Sequence, residues 1–366
     1  DDDITATIAK ITNAGTTTPV FTISGAAAGN YVITNSENKV SVTIQPKQVS
    51  VIQSGTYTYD GTAQTITLVV DGKCGDDDIV ATTAKITNAG TTTPVFTISG
   101  DDVANYEITN LDSRVSVTVN PKQVSVSQSG TYTYDGTAQT INLVINGRVG
   151  SDDIVATIAK ITNAGTTTPV FTISGAAASN YEITNIDNKV TVTIQPKPTS
   201  VSQSGTYVYT GVAQAITLKV DDKVGDDDIV ATITNIKNAG TTNPVFTISG
   251  ADASNYQITN VGNRVSVTIQ PKPTSVSQSG TYTYNGTAQT IALSIDDIVE
   301  GDDIEATIDD ITNAGSYTPV FTISGNDKNN YVITNSENKV SVTINKANLT
   351  VSQNMASVPT YTGSTE

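Results

Sequence analysis

The sequence predicts an all-β protein built as a tandem array of small β-sandwich units. Three observations carry that expectation. A block recurs every 75 residues: Ile11 to Gly25 is repeated unchanged at Ile86 to Gly100 and at Ile161 to Gly175, and with small changes at Ile236 to Gly250 and Ile311 to Gly325. The composition favours strands, because Thr, Val and Ile are frequent and Leu is rare, and β-branched side chains suit a pleated surface better than a helix. Turn residues recur about every 8–12 residues, the spacing of short strands in a sandwich or barrel. A second marker keeps the same period: Tyr59-Asp-Gly-Thr, Tyr134-Asp-Gly-Thr, Tyr209-Thr-Gly-Val and Tyr284-Asn-Gly-Thr. The five Phe residues fall one to a copy, at 21, 96, 171, 246 and 321. Near-identity between neighbours points to recent duplication, so the positions that differ between copies show what the unit tolerates.

The copy from Gln48 to Lys122 yields the elements in order. Gln48-Val-Ser-Val51 alternates and opens a strand over 48–53. Tyr57 and Tyr59 share a face of a short strand over 56–59, and Ile66, Leu68 and Val70 share a face of 65–70. The acidic turn Asp76-Asp-Asp78 leads into 78–83. Phe96 with Ile98 marks 94–99, and Tyr106 with Ile108 marks 105–109. Arg114-Val-Ser-Val-Thr-Val119 alternates strictly, which predicts a half-buried strand over 114–120. Asp60-Gly61, Asp71-Gly72, Asn88-Ala-Gly90, Ser99-Gly100 and Asn110 to Ser113 are the turns between. No segment has a 3.6-residue period. Seven short strands in this order predict an Ig-like sandwich, at a size below the usual ~100 residues.

The expected division is a partial repeat at 1–46, full repeats at 47–121, 122–196, 197–271 and 272–346, and the start of a further repeat at 347–366. A unit this small has a thin core and gains from stacking on its neighbours. The joints Gln45-Pro46-Lys47, Asn120-Pro121-Lys122, Gln195-Pro196-Lys197 and Gln270-Pro271-Lys272 lie directly between strand-like runs, with no Gly/Ser-rich spacer. Proline fixes φ and stiffens such a joint. The expectation is an elongated rod, at roughly 30–40 Å per unit. The ends are out of phase with the units. Residues 1–46 carry the last four strands of a unit, and Tyr361-Thr-Gly363 stands where Tyr134-Asp-Gly136 stands in a full one. Half a sandwich exposes a core face and an open edge. That suits a piece cut from a longer chain or, alternatively, one chain's tail completing another's head.

Charge and composition exclude several function classes. The chain has 366 residues, 35 acidic and 19 basic, for a net charge of −16, with no His and one Cys. Without His there is no Ser-His-Asp triad, and with one Cys besides there is no N/S zinc site and no intramolecular disulfide. The acidic excess argues against nucleic acid as a partner, and no apolar run reaches the ~20 residues of a membrane helix. An enzyme is not expected.

Tyr134-Asp-Gly-Thr, Val149-Gly-Ser-Asp-Asp-Ile154, Asn163-Ala-Gly165, Ser174-Gly-Ala-Ala-Ala-Ser-Asn-Tyr-Glu-Ile-Thr184 and Val192-Thr-Ile-Gln-Pro-Lys197 follow one another in order. In that order they resemble the YDG and MBG-type Ig-like repeats of large bacterial surface proteins, over nearly the whole chain. Thr210 and Asn285 depart from the Asp of the Tyr-Asp-Gly turn. The resemblance implies an extracellular stalk or fibre segment of an adhesin-like cell-surface protein, spacing or displaying other domains. A filament subunit joined head to tail through its incomplete ends is the alternative. A ligand- or glycan-binding module using the variable loops 26–30, 101–105, 176–180, 251–255 and 326–330 is the third reading. Self-association, neighbouring repeats and a cell-surface or glycan ligand are the partners these readings name.

Five sets of residues invite chemistry. The paired carboxylates Asp2/Asp3, Asp77/Asp78, Asp152/Asp153, Asp227/Asp228 and Asp302/Asp303 form a candidate weak calcium site in each copy, since Ca²⁺ takes six to eight oxygen ligands. Their plain reading is a solvated turn opening a strand. The junction lysines Lys47, Lys122, Lys197, Lys272 and Lys346 are candidates for isopeptide cross-links, or simply solvated. Adjacent carboxylates such as Asp77 and Asp78 do not suit a glycosidase, because strand neighbours point to opposite faces. Cys74 stands where Val149, Val224 and Val299 stand and reads as a small hydrophobe. The pairs Tyr57/Tyr59, Tyr132/Tyr134, Tyr207/Tyr209 and Tyr282/Tyr284 read as packing aromatics before they read as a sugar platform.

Overall fold

The computed structural model of the chain describes residues 1–352, in two compact units. Unit 1 holds Asp1–Tyr132, Thr137–Thr162 and Thr166–Ile194; unit 2 holds Thr133–Gly136, Asn163–Gly165 and the chain from Gln195 onward. The regular elements among the described residues are short strands and single 3₁₀ turns. The all-β tandem architecture read from the sequence is the one the chain adopts.

Unit 1 opens with β1 (Thr5–Ile8), β2 (Gly15–Thr17), β3 (Phe21–Ser24) and β4 (Val42–Ile44). The next 75 residues contribute β5 (Lys47–Gln53), β6 (Tyr57–Thr58), β7 (Leu68–Asp71), β8 (Val80–Thr83), β9 (Gly90–Thr92), β10 (Phe96–Ser99), β11 (Tyr106–Ile108) and β12 (Val117–Asn120). β5 is central to one sheet, antiparallel to β7 and parallel to β11. β12 is central to the other, parallel to β6 and antiparallel to β9. β8 and β10 form an antiparallel pair. The period-two pattern explains the packing. Val49 and Val51 from β5 meet Val115, Val117 and Val119, and Tyr59, Ile66, Ile79 and Phe96 close the same core.

Unit 2 repeats the plan. Val201, Tyr209, Phe246, Val265, Val267 and Ile269 are buried together, and Val276, Phe321, Val340, Val342 and Ile344 form the core after that.

The strands differ from the sequence reading in several places: those expected over 94–99 and 114–120 begin at Phe96 and Val117, and three further differences bear on the packing and on the acidic pair. Asn88-Ala-Gly90, read as a turn only, runs straight into β9, so the unit has eight strands and not seven. β9 is Gly-Thr-Thr with all three residues exposed, so it carries no alternation to detect. It is held by its ladder with β12 and by the Thr91–Thr118 hydroxyl pair at 2.9 Å. The strand expected over 65–70 begins only at Leu68, because the Tyr57 hydroxyl accepts the Thr67 N–H at 2.7 Å. The strand expected over 78–83 begins at Val80. Asp77 and Asp78 therefore sit in a turn, and the strand geometry that set them on opposite faces does not apply.

A glutamine ties the two sheets together. Gln203 accepts the Thr268 N–H through Oε1 at 2.7 Å, and its amide donates to the carbonyls of Thr268 at 3.2 Å and Gly205 at 3.0 Å. Gln53 and Gln128 make the same three bonds. Gln203→Glu would lose both donors and set a carboxylate against two carbonyl oxygens. The expected cost is about 2–3 kcal/mol, read as a lower midpoint in urea, whereas an unchanged midpoint would show that the clamp is dispensable.

Residues 1–46 differ from a full repeat. β4 pairs with β2 alone, while its counterpart β12 has strands on both sides. Tyr31 to Ile33, which match β11, form no strand. Tyr31 is 52% exposed, against 9% for its counterpart Tyr106. The Tyr361-Thr-Gly363 run lies outside the described residues.

Candidate site: a tyrosine–aspartate joint between repeats

The Tyr-x-Gly turn and the acidic pair, 93 residues apart in sequence, meet where one repeat adjoins the next. Within unit 1, Tyr59 donates its hydroxyl proton to Asp152 Oδ2 at 2.7 Å. Tyr181 donates to the same oxygen at 2.5 Å and accepts the Val149 N–H at 2.9 Å. The two rings meet edge to face, with centroids 5.5 Å apart and planes at 77°, a geometry favoured by their quadrupoles. Gly61 lies against Val149, and Ala89 N–H donates to Asn180 Oδ1 at 2.8 Å.

Unit 2 contains this arrangement twice. Tyr134 and Tyr256 share Asp227 at 2.8 and 2.6 Å, with Ala164 N–H on Asn255. Tyr209 and Tyr331 share Asp302, with Ala239 N–H on Asn330. Asn180, Asn255 and Asn330 are buried, and each is satisfied by its bond across the joint, as buried amides require.

The paired carboxylates divide the work. The first of each pair, Asp2, Asp77, Asp152, Asp227 or Asp302, accepts the tyrosine hydroxyl of its own repeat. The second, Asp3, Asp78, Asp153, Asp228 or Asp303, accepts a backbone N–H from the loop that follows the Ser-Gly turn. Among the described residues, no group of three or more acidic or Cys side chains is placed to hold a metal ion. The variable loops contribute as well, since their last residues include the joint asparagines. Cys74 is exposed, with the Lys47 ammonium 3.4 Å from its sulfur. Lys197 donates to the Asp222 carbonyl at 2.7 Å.

Sequence reasoning singled out both halves of the joint and did not bring them together. The tyrosines read as packing groups and the aspartates as turn or calcium residues. Their shared 75-residue period was the available signal, but a period cannot say which copy touches which.

The electrostatics follow from the geometry. The hydrogen bond to Asp152, with burial second, pushes the Tyr59 hydroxyl up to about 12. Burial leads for Tyr134, Tyr209, Tyr256 and Tyr331, followed by the shared carboxylate, and each is pushed up to about 12. Hydrogen bonds from Tyr181 and Tyr59 hold Asp152 below its ordinary value. A phenol that ionises near 10 when unfolded and near 12 when folded stabilises the joint fully below pH 10, and that stability disappears as pH rises from 10 to 12. Asp152 acts in the opposite sense: its contribution is present above about pH 4 and is lost as pH falls. Melting temperature should therefore drop steeply between pH 10 and 12. A Tyr59→Phe/Tyr134→Phe/Tyr209→Phe variant should start lower and drop less. Parallel curves for the two proteins would remove these three phenols as the cause.

No protein-family model matches this chain, and no curated protein matches it in sequence. Among solved structures it is similar to FdeC, described as a broadly conserved Escherichia coli adhesin that elicits protection against urinary tract infections. The identity is 12%, with 81% of this chain and 96% of that one covered and a TM-score of 0.18. Among the described residues, no helix is long and apolar enough to cross a membrane.

Proposed function

We propose that this chain is a structural spacer, a stalk or fibre segment of a secreted, adhesin-like bacterial surface protein, with no catalytic role. The observation that supports it is the joint itself. One set of groups recurs in each of three joints: two tyrosines on one aspartate, a glycine against a valine, and an alanine N–H on a buried asparagine. A joint made from side chains of both repeats fixes their relation, which a Gly/Ser linker would leave free. Repetition then sets the distance at which other domains stand from the surface. The net charge of −16 keeps such segments soluble and apart.

Stretching single molecules by their ends tests this reading. The expected trace has near-equal unfolding steps, each releasing about 220 Å, from ~3.5 Å per extended residue less ~40 Å of folded length. Joint variants such as Tyr59→Phe should lower the force of the adjoining steps. Extension without discrete steps, at forces no greater than a flexible linker needs, would overturn the spacer reading.

A further inference from the structure

The Tyr-x-Gly turn contains one residue whose chemistry the joint does not use. Of the two Asn-Gly pairs in the chain, Asn285-Gly286 lies in this turn, where the first two full repeats carry Asp60-Gly61 and Asp135-Gly136. The position faces solvent in every full repeat, since Asp60, Asp135, Thr210 and Asn285 are all exposed. Asn285 Oδ1 accepts two hydrogen bonds from Thr287, one from the backbone N–H at 2.9 Å and one from the hydroxyl at 2.9 Å. Bonds to a residue two places on fold the carboxamide over the intervening peptide, which brings its carbonyl carbon round toward the Gly286 nitrogen. Gly286 has φ +82° and no side chain to obstruct that approach. The other pair, Asn146-Gly147, is arranged differently. Asn146 is also exposed, but its Nδ2 donates to Ser127 Oγ at 3.0 Å and to Ser125 Oγ at 3.5 Å. Those bonds draw the carboxamide across to the neighbouring strand and away from Gly147.

We propose that Asn285 is a self-modification site, at which the folded turn drives the loss of ammonia and leaves an aspartate. The Gly286 nitrogen gives up its proton to solvent and attacks Asn285 Cγ. A Cγ–N bond forms and negative charge develops on Oδ1. The two Thr287 donors are already aimed at that oxygen, the arrangement that stabilises an oxyanion, and the nucleophile is held next to the carbon it attacks. The Cγ–Nδ2 bond then breaks, Nδ2 takes up a proton and leaves as ammonia, and a five-membered imide remains. One water adds to the imide at Cγ and breaks the new Cγ–N bond, which restores the backbone and leaves a carboxylate on the side chain. Only water is consumed, and nothing is oxidised or reduced. Opening at the backbone carbonyl instead would give an isoaspartyl linkage, whose longer main chain does not fit the turn. The product has a place prepared for it. Asp60 accepts the Thr62 N–H at 2.8 Å and the Thr62 hydroxyl at 2.7 Å, and these bonds hold its carboxyl below its ordinary value. Conversion at position 285 reproduces the Tyr-Asp-Gly-Thr turn of the earlier repeats and adds one negative charge to the chain's −16. This holds whether or not the chain is a spacer.

The second Asn-Gly pair supplies the internal control. The full chain, freshly prepared and held at neutral pH and body temperature, is sampled over time by peptide mapping with mass spectrometry. Asn285 should exchange amide for acid at least about tenfold faster than Asn146 in the same molecules. In urea, where neither the Thr287 bonds nor the Ser127 bond survives, the two sites should react at similar rates, because each is then an Asn-Gly pair in an open chain. Thr287→Val removes the hydroxyl donor and should slow Asn285 at least about fivefold, with Asn146 unchanged. Thr287→Ser keeps both donors and should retain the parent rate. Labelling with an isoaspartyl methyltransferase should find aspartate as the main product of the folded chain and isoaspartate as the main product in urea. The converted chain should focus at the same position as Asn285→Asp, and that variant should melt with the parent. Three results would each overturn the proposal: a ratio of the two rates that is the same folded and in urea, a Thr287→Val rate equal to the parent's, or isoaspartate as the main product of the folded chain.

Discussion

Gly250→Ala is expected to unfold the repeat from Lys197 to Pro271, at a cost of about 4 kcal/mol or more. Gly250 has φ +116°, and a Cβ there would stand 2.1 Å from the Asp228 carbonyl oxygen, 2.7 Å from its carbon and 3.0 Å from Ile229 Cα. All three obstacles are backbone, so no side chain can swing aside. Nor can the backbone withdraw cheaply. The Asp228 carbonyl accepts the Asp252 N–H at 3.0 Å, its carboxylate accepts the Ala251 N–H at 2.9 Å, and its own N–H donates to Asp252 at 2.9 Å. Ile229 next to it is buried. Movement would carry along the loop that ends at Asn255, which holds Ala164 across the joint. Gly225→Ala is the comparison. Its φ is +43° with nothing within 4 Å of the added carbon, so it should cost at most about 1 kcal/mol. Calorimetry on the full chain, with hydrogen exchange to locate the unfolded repeat, reads both. Equal melting for the two variants would refute the collision.

The same glycine shows what was legible in the sequence. Ser249-Gly250 is a turn by residue type, and a turn is found there. That Gly250 is irreplaceable, because Asp228 lies 22 residues earlier against its Cα, is a tertiary fact with no local signature. Alternating Val115, Val117 and Val119 announced the core strand, because burial of every second side chain is a local consequence of the pleat. β9 went unread because its Gly-Thr-Thr is exposed throughout and is held by partners distant in sequence. The joint was half legible. Tyr59 and Asp152 were each conspicuous through their period, yet their meeting depends on how one repeat is set on the next. The x of the Tyr-x-Gly turn became clear only in three dimensions. Asp60 and Asn285 both accept the N–H and hydroxyl of the Thr two residues on, so either residue serves, and where Thr210 replaces them Val212 replaces that Thr.

Tyr209→Ala should cost about 3–5 kcal/mol, the range for removing a buried aromatic ring, whereas the same change at Tyr284 should cost far less. The two tyrosines occupy the same place in consecutive repeats, and both backbone N–H groups donate to the last residue of their own repeat's closing strand at 2.9 Å. Their surroundings differ in the turn residues, Thr210 and Val212 against Asn285 and Thr287, and beyond the repeat. Tyr209 is 1% exposed, donates to Asp302 and meets the Tyr331 ring edge to face at 5.6 Å, while Tyr284 is 41% exposed. The difference between the two costs therefore measures chiefly the joint, since the turn residues that differ, Thr210 and Asn285, are left in place by both changes. The glycines supply an independent version. Gly211 and Gly286 share φ +82°, but a Cβ on Gly211 would reach 2.3 Å from Val299 Cγ1, and one on Gly286 meets nothing within 4 Å. The strain of alanine at positive φ is common to both, so any excess at Gly211 belongs to the joint. If the joint couples its repeats, Tyr209→Ala and Gly211→Ala should also separate one unfolding transition into two, since repeats in an array share stability through their interfaces. Equal costs within each pair, with a single transition retained, would mean that the repeats stand side by side without supporting one another.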